Sequence, residues 1–282
     1  MDSNRLLRRL VPSTAALSRS PLYYPFSVIN DWTIGVASRM ITRRRIPPLR
    51  YITRTGVGND IFTPHFYYLT AGANFWLYAF AQGWANLNSH IVDLGSGCGK
   101  GAATLRDFEY MGQRFGGHYY GFDVDGDMVR WCQQNFAPEH FTFRKVDMFS
   151  ALYSPAEQTK ERVRLQGCED GSIDLVVSHS LFSHLLENDL RNYVQESARV
   201  LRSGGVMVMT FFCIDDLRKL NLLGGRWTFA HREGNAYIEN LRYPEAAVAY
   251  DQAWIENVCR EAGFRQVEVR LPSYQSTLYC EK

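Results

Sequence analysis

Apolar residues in the second half of the chain fall into short runs separated by amphipathic stretches. Ile91–Leu94 is the first run, and a glycine-dense turn follows it. His118–Val124, Phe141–Met148, Ile173–Val177 and Val206–Phe212 come next. Each is rich in β-branched or aromatic residues and too short for a helix, so each predicts a strand. Residues 100–112, 128–135, 188–201 and 250–262 carry helical spacing between or after them. Gly204-Gly205 and Gly263 read as stops for the third and fourth helices. Gln266–Leu271 and Thr277–Glu281 are two last strands with no helix between them. The alternation predicts an α/β fold.

The first third reads differently. Leu22–Ile41 is apolar and aromatic, interrupted by Asn30-Asp31 and Arg39. It fits a helix lying on the rest of the protein or a helix seeking a membrane surface. Pro47-Pro48 breaks it, and Gly56–Asp60 reads as a loop. Pro64–Leu87 predicts one helix rich in aromatic residues, most of them core. Residues 1–84 thus form a basic, aromatic helical extension and cap, and 85–282 the main domain. Insertions are expected near 149–171 and 214–245, where the connections outrun an ordinary crossover.

The chain has 282 residues, 46% hydrophobic and 21% charged, enough to bury a sizeable core. No apolar run reaches the ~18 residues of a membrane span. Six cysteines are scattered without a Cys-x-x-Cys pair, which predicts reduced thiols and a cytoplasmic setting. Charge is uneven. Residues 1–54 hold ten arginines against Asp2 and Asp31, a balance of +8 within a total of +2. Such an arm suits peripheral contact with an anionic membrane, or simple packing on the acidic remainder.

Candidate chemistry centres on Ile91–Leu105, a strand, a turn with glycines at 95, 97, 99 and 101, and a helix start. A phosphate loop is excluded twice, by Leu94 where its first glycine belongs and by Gly101 where its hydroxyl belongs. Gly97-Cys-Gly99-Lys-Gly-Ala102 fits a dinucleotide fingerprint, which keeps an NAD-dependent oxidoreductase in view. Asp93 with Gly95-Ser96-Gly97-Cys-Gly99 resembles motif I of the class I S-adenosylmethionine-dependent methyltransferases. That resemblance covers about residues 85–282. It implies a Rossmann-like, seven-stranded, mostly parallel sheet with helices on both faces and an antiparallel final pair. It also implies S-adenosylmethionine as cofactor, the glycine loop facing its methionine part with Asp93 close by. Asp123, at the second strand's end beside Val124, would take the ribose hydroxyls. Asp147 would take the adenine amine, with Met148 against the ring. Ser178-His179-Ser180 matches motif IV in position, over the presumed methyl group.

The acceptor side is less determined. His184 resembles the second histidine of a His-His-Leu segment found in sugar O-methyltransferases, with Ser183 in place of the first. It is the first candidate for a general base, His179 is the second, and Asp215 or Asp216 would orient the imidazole. The Asp215-Asp216 pair also raises a magnesium ion. No Asn-Pro-Pro-Tyr type segment follows the fourth strand, which argues against a nucleic-acid acceptor. The expected acceptor is a small-molecule hydroxyl, on a sugar or glycosylated metabolite. A lipid or quinone-like substrate at a membrane surface is the alternative, and a homodimer is left open.

Overall fold

The structure is a computed structural model that describes residues 21, 23–42, 45–55, 64–70, 72–110, 112–146, 163–225 and 227–282. The expectations for Asp147, Met148 and the Gly56–Asp60 loop lie outside the described residues.

The glycine turn follows β1 (His90–Leu94), and the helix behind it runs Lys100–Asp107. A small hairpin comes next, β2 (Glu109–Tyr110) with β3 (Gln113–Arg114). The helix therefore ends five residues earlier than its spacing suggests. β4 (His118–Asp123), helix Gly126–Asn135, β5 (Phe141–Lys145), β6 (Ile173–Ser178) and helix Glu187–Val200 alternate as expected. β7 (Leu201–Cys213) is longer than expected, because Gly204 and Gly205 do not cap the preceding helix. They lie in a bulge, where pairing jumps from Ile173↔Leu201 to Leu175↔Val206.

The order β5-β4-β1-β6-β7 is parallel. β12 (Ser276–Glu281) joins β7 antiparallel, and β11 (Gln266–Arg270) pairs antiparallel with β12. These seven strands are the expected class I sheet. The insertion after β7 adds three more, making a ten-stranded sheet. It forms helix Ile214–Lys219, β8 (His231–Glu233), β9 (Ala236–Ile238) and β10 (Val248–Tyr250). β10 continues from the carboxyl end of β7, with Ala249 opposite Phe212.

Strand side chains alternate between two cores, as period-2 geometry requires. Val92, Leu94, Val176, Met207 and Met209 pack with Leu190, Val194 and Ile255 of helices Glu187–Val200 and Gln252–Glu261. Ile91, Leu175, Val177, Val206 and Val208 face the opposite core. There they meet Ala102, Leu105, Val129 and Cys132, and also Ile52, Tyr68 and Trp76 from the first third of the chain.

The described residues of that first third form a set of short helices: Tyr23–Asn30, Val36–Thr42, Leu49–Arg54, Pro64–Thr70 and Ala73–Ala81, with a π turn at Asp31–Gly35. The single helix expected over 64–87 is thus two. Gly72 caps the second, pressed so close to helix Lys100–Asp107 that an added Cβ would lie 2.5 Å from Thr104 Oγ1. Trp76 donates its indole N–H to the Gly101 carbonyl at 3.0 Å, and the Tyr68 hydroxyl bonds the Cys98 carbonyl at 3.1 Å. These aromatic residues hold the back of the glycine turn. All six cysteines are buried thiols. Among the described residues, no helix is long and apolar enough to cross a membrane.

Candidate active site

A cavity of about 510 Å³ opens at the carboxyl ends of β1, β4, β6 and β7. This is where open α/β sheets bind ligands. Asp93, Gly95, Ser96, Gly97, Asp123 and Val124 line it from the cofactor side, with Lys100 and Met128. His179, His184, Asp189, Phe212, Trp227 and Tyr274 line it from the opposite side.

The turn is built for close approach. Gly95, Gly97 and Gly99 have φ of +77°, +54° and +78°, a region that L side chains rarely adopt. An added Cβ at Gly97 would also strike Thr55 Cγ2 at 2.7 Å. Helix Leu49–Arg54 therefore closes over the loop, and Arg54 clasps Asp125 at 2.8 Å. Asp125 caps helix Gly126–Asn135 by accepting the Asp127 and Met128 N–H groups. Asp123 holds the loop itself. Its Oδ2 accepts the Gly97 N–H at 2.7 Å and its Oδ1 accepts the Asp125 N–H at 2.8 Å. Burial raises its carboxyl, against the pull of those bonds. Each oxygen keeps a second lone pair for a ligand hydroxyl.

Asp93 is 5% exposed and accepts a hydrogen bond from the Tyr119 hydroxyl. Burial pushes its carboxyl up to about 6, while Tyr119 and Lys100 pull it down and Asp123 adds to the rise. Such a group is poised to ionise fully when a cation arrives. Ser96 Oγ is buried and, among the described residues, has no hydrogen-bond partner. A buried hydroxyl left that way calls for a ligand group. The glycines of the turn, the unpartnered Ser96 hydroxyl and the two carboxylates fit a nucleoside that carries a cationic amino-acid group. Gly99 serves differently: it turns the chain into helix Lys100–Asp107, and an added Cβ would meet the Phe136 ring at 3.0 Å.

On the opposite wall, His184 Nδ1 lies 2.8 Å from the Glu245 carbonyl. A carbonyl only accepts, so Nδ1 carries the proton and Nε2 is the basic nitrogen of the neutral ring. Burial lowers the His184 pKa; the backbone of Glu245 and Ala246 and the Glu245 carboxylate oppose this. His179 lines the cavity with an exposed ring. The protein packed around it, and then Lys100, lower its pKa. Its ring meets Phe75 edge-on at 4.7 Å. The loop carrying both histidines is strained at Ser180, φ +65°, and pinned from two directions. Ser180 N–H donates to Thr210 Oγ1 at 2.8 Å, and its hydroxyl donates to Gln275 Oε1 at 2.7 Å.

Besides Gly99, three expected residues are not brought to this cavity. Ser178 donates to the Leu94 carbonyl at 3.1 Å and ties β6 to β1. Asp215 Oδ2 accepts the Gln252 N–H at 2.7 Å, at the start of helix Gln252–Glu261, so it does not orient His184. Asp216 is buried and accepts from Ser276 Oγ at 2.6 Å, with Lys219 at 3.5 Å. With each carboxylate so engaged, the pair does not form a cation site. Among the described residues, no cluster of three or more histidine, cysteine or acidic residues could hold a metal ion. The orienting role expected of Asp215 falls to a backbone carbonyl instead.

Several lining residues escape sequence reasoning. Asp189 sits in the first turn of its helix, its carboxyl raised by burial and by Glu245. Phe212, Trp227 and Tyr274 form an aromatic wall, with Phe212 5.5 Å from Trp227 and 5.3 Å from Tyr274. The indole N–H of Trp227 donates to the Tyr274 hydroxyl. The aromatic content of the insertion was the one available signal.

Residues 92–209 match the family model described as a methyltransferase domain. That match favours the methyltransferase reading of the glycine turn over the oxidoreductase one. Among solved structures, a Nostoc punctiforme protein assigned as an O-methyltransferase is 14% identical, with a TM-score of 0.51. The alignment covers 79% of this chain and 59% of that one. A Pyrococcus horikoshii protein is 15% identical with a TM-score of 0.49, covering 77% of this chain and 91% of that one. An S-adenosylmethionine-dependent methyltransferase of Methanosarcina mazei is 15% identical with a TM-score of 0.47, covering 73% and 97%.

Proposed function

We propose that this chain, which belongs to the class I S-adenosylmethionine-dependent methyltransferases, methylates a hydroxyl of a small molecule and uses His184 as general base. The observation that carries this reading is the Nδ1 contact of His184 with the Glu245 carbonyl. It makes Nε2 the proton acceptor in a ring that lines the cavity. Bound S-adenosylmethionine supplies a methyl group already activated on a sulfonium. The chain's task is then to orient the acceptor, exclude water and take one proton.

Asp123, Ser96 and Asp93 hold the nucleoside and amino-acid parts. His184 Nε2 takes the proton from the acceptor hydroxyl. Asp189 and Glu245 accept hydrogen bonds from further hydroxyls. Trp227 and Tyr274 offer ring faces to C–H surfaces, and with Phe212 and Leu181 they keep the site dry. Carboxylates beside aromatic faces favour a sugar or glycosylated metabolite. The same pairing also suits an amine, which attacks in its neutral form and gives up its proton to solvent after transfer, so it would need no histidine base. Asp215 and Asp216 have no part in this chemistry.

Replacing His184 separates the two. In His184→Ala, hydroxyl methylation should fall about 10²–10⁴-fold, while calorimetric affinity for S-adenosylhomocysteine stays within a factor of two or so. Equal loss of affinity and thermal stability would make the histidine structural. Retained activity on an amine acceptor would establish the second reading.

A further inference from the structure

A second cavity, of about 300 Å³, shares no wall residue with the first. Asp31, Gly35, Arg39, Arg45, His65 and Trp131 line it. His65 is 1% exposed, and among the described residues neither ring nitrogen has a hydrogen-bond partner. Asp31 Oδ1 stands 3.6 Å from His65 Nε2 and already accepts the Leu49 N–H at 2.8 Å. Gly35 closes the π turn against this ring: an added Cβ would lie 3.5 Å from Nε2. Such turns are rare and recur at functional sites. Arg39 donates from Nε to the Gly35 carbonyl at 3.2 Å, and Arg45 from one terminal nitrogen to the Gln134 carbonyl at 3.5 Å. Each guanidinium has N–H groups beyond these.

We propose that this cavity binds a phosphate monoester, presented as the headgroup of an anionic lipid at a membrane surface. Arg39 and Arg45 supply charge-assisted bonds to the phosphate oxygens, and a ring N–H of His65 supplies another. Asp31 puts one negative charge at the site, which selects among phosphates. A monoester releases its second proton near pH 6, so it can present a hydroxyl to the Asp31 carboxylate. A diester has no such proton. The surroundings assign the phosphate to a lipid. Trp32 and Met40 each follow a wall residue in sequence and are 76% and 75% exposed. Tyr24 and Ile29, on the preceding helix, are 66% and 62% exposed. Exposed aromatic and apolar side chains beside cationic groups suit the headgroup layer. The +8 balance of residues 1–54 adds long-range attraction.

The test is sedimentation of the full chain with three vesicle types: phosphatidylcholine alone, with phosphatidylglycerol, and with phosphatidic acid at equal surface charge. Phosphatidic acid should bind at least about tenfold more tightly than phosphatidylglycerol. Arg39→Gln with Arg45→Gln should weaken that binding about thirtyfold. His65→Asn should abolish the preference for the monoester. Trp32 emission should shift to the blue on phosphatidic acid vesicles, a component missing in Trp32→Phe. Unchanged S-adenosylhomocysteine binding shows that a variant is folded, and if His65→Asn is not, the two exposed arginines decide the matter. Equal binding to both anionic lipids, or a preference that survives the double substitution, overturns the site. Saturable binding of free glycerol phosphate without vesicle binding overturns the lipid assignment.

Discussion

Burial holds the Asp93 carboxyl at about 6, well above the ordinary carboxylate value, with the Tyr119 hydroxyl and Lys100 opposing it. The raised pKa means that the folded protein binds this proton more tightly than the unfolded chain does. The stability it confers is present below the ordinary value, near 3.8, and is lost as pH rises toward 6. Asp93→Asn should therefore raise the thermal stability of the ligand-free protein at pH 7.5, by on the order of 1–3 kcal/mol, and leave it unchanged near pH 3.5. Affinity for the cationic cofactor should move the other way, falling in Asp93→Asn. In the native protein it should fall as pH drops below 6, read by calorimetry across pH. The His184 pKa lies below its ordinary value. The acid limb of the methyl-transfer rate should accordingly sit below about pH 6.5, and should vanish with the residual activity of His184→Ala. Gly97 has a plainer role. Gly97→Ala forces a side chain into positive φ and against Thr55, so cofactor affinity should fall at least about tenfold, measured against thermal stability as a control.

Strands and helices explain which parts of this were legible. The central strands were legible as short continuous apolar runs, since Ile91 and Val92, or Leu175 and Val176, face opposite cores and both faces are buried. The glycine turn was legible because positive φ at three positions demands glycine. The insertion after β7 was legible only as excess length. β8, β9 and β10 have three residues each, too few for any period to show. The orienting group of His184 was illegible for a different reason. It is a carbonyl 61 residues away, and every residue has one. Asp215 and Asp216 misled because adjacent carboxylates look like a pair, yet one holds the Gln252 N–H and the other the Ser276 hydroxyl. The aromatic wall makes its own prediction. Trp227→Ala removes one face of the acceptor cavity and the hydrogen bond to Tyr274, so KM for the acceptor should rise with cofactor affinity unaltered. Arg54 clasps Asp125 from a half-exposed position. Arg54→Ala should cost at most about 1 kcal/mol of stability, because solvent screens the pair.

Across the whole molecule, the described helices before β1 pack on the sheet. Ile52, Tyr68 and Trp76 share one hydrophobic cluster with Ile91 and Tyr119 of the sheet, and Thr55 and Arg54 reach the rim of the cofactor cavity. Helix Gly126–Asn135 spans both cavities, with Met128 at one and Trp131 at the other. The described helices before β1 thus meet the glycine turn at Thr55 and carry Arg39 and Arg45 at the second cavity, near the exposed Tyr24 and Trp32. All of this depends on what the glycine turn binds. The most direct test is a set of parallel calorimetric titrations of the full chain with S-adenosylmethionine, S-adenosylhomocysteine and NAD. Saturable binding of the first two but not NAD, weakened in Asp123→Ala, is the predicted result. Binding of NAD alone would contradict the account and return the turn to its dinucleotide reading at Gly97-x-Gly99-x-x-Ala102.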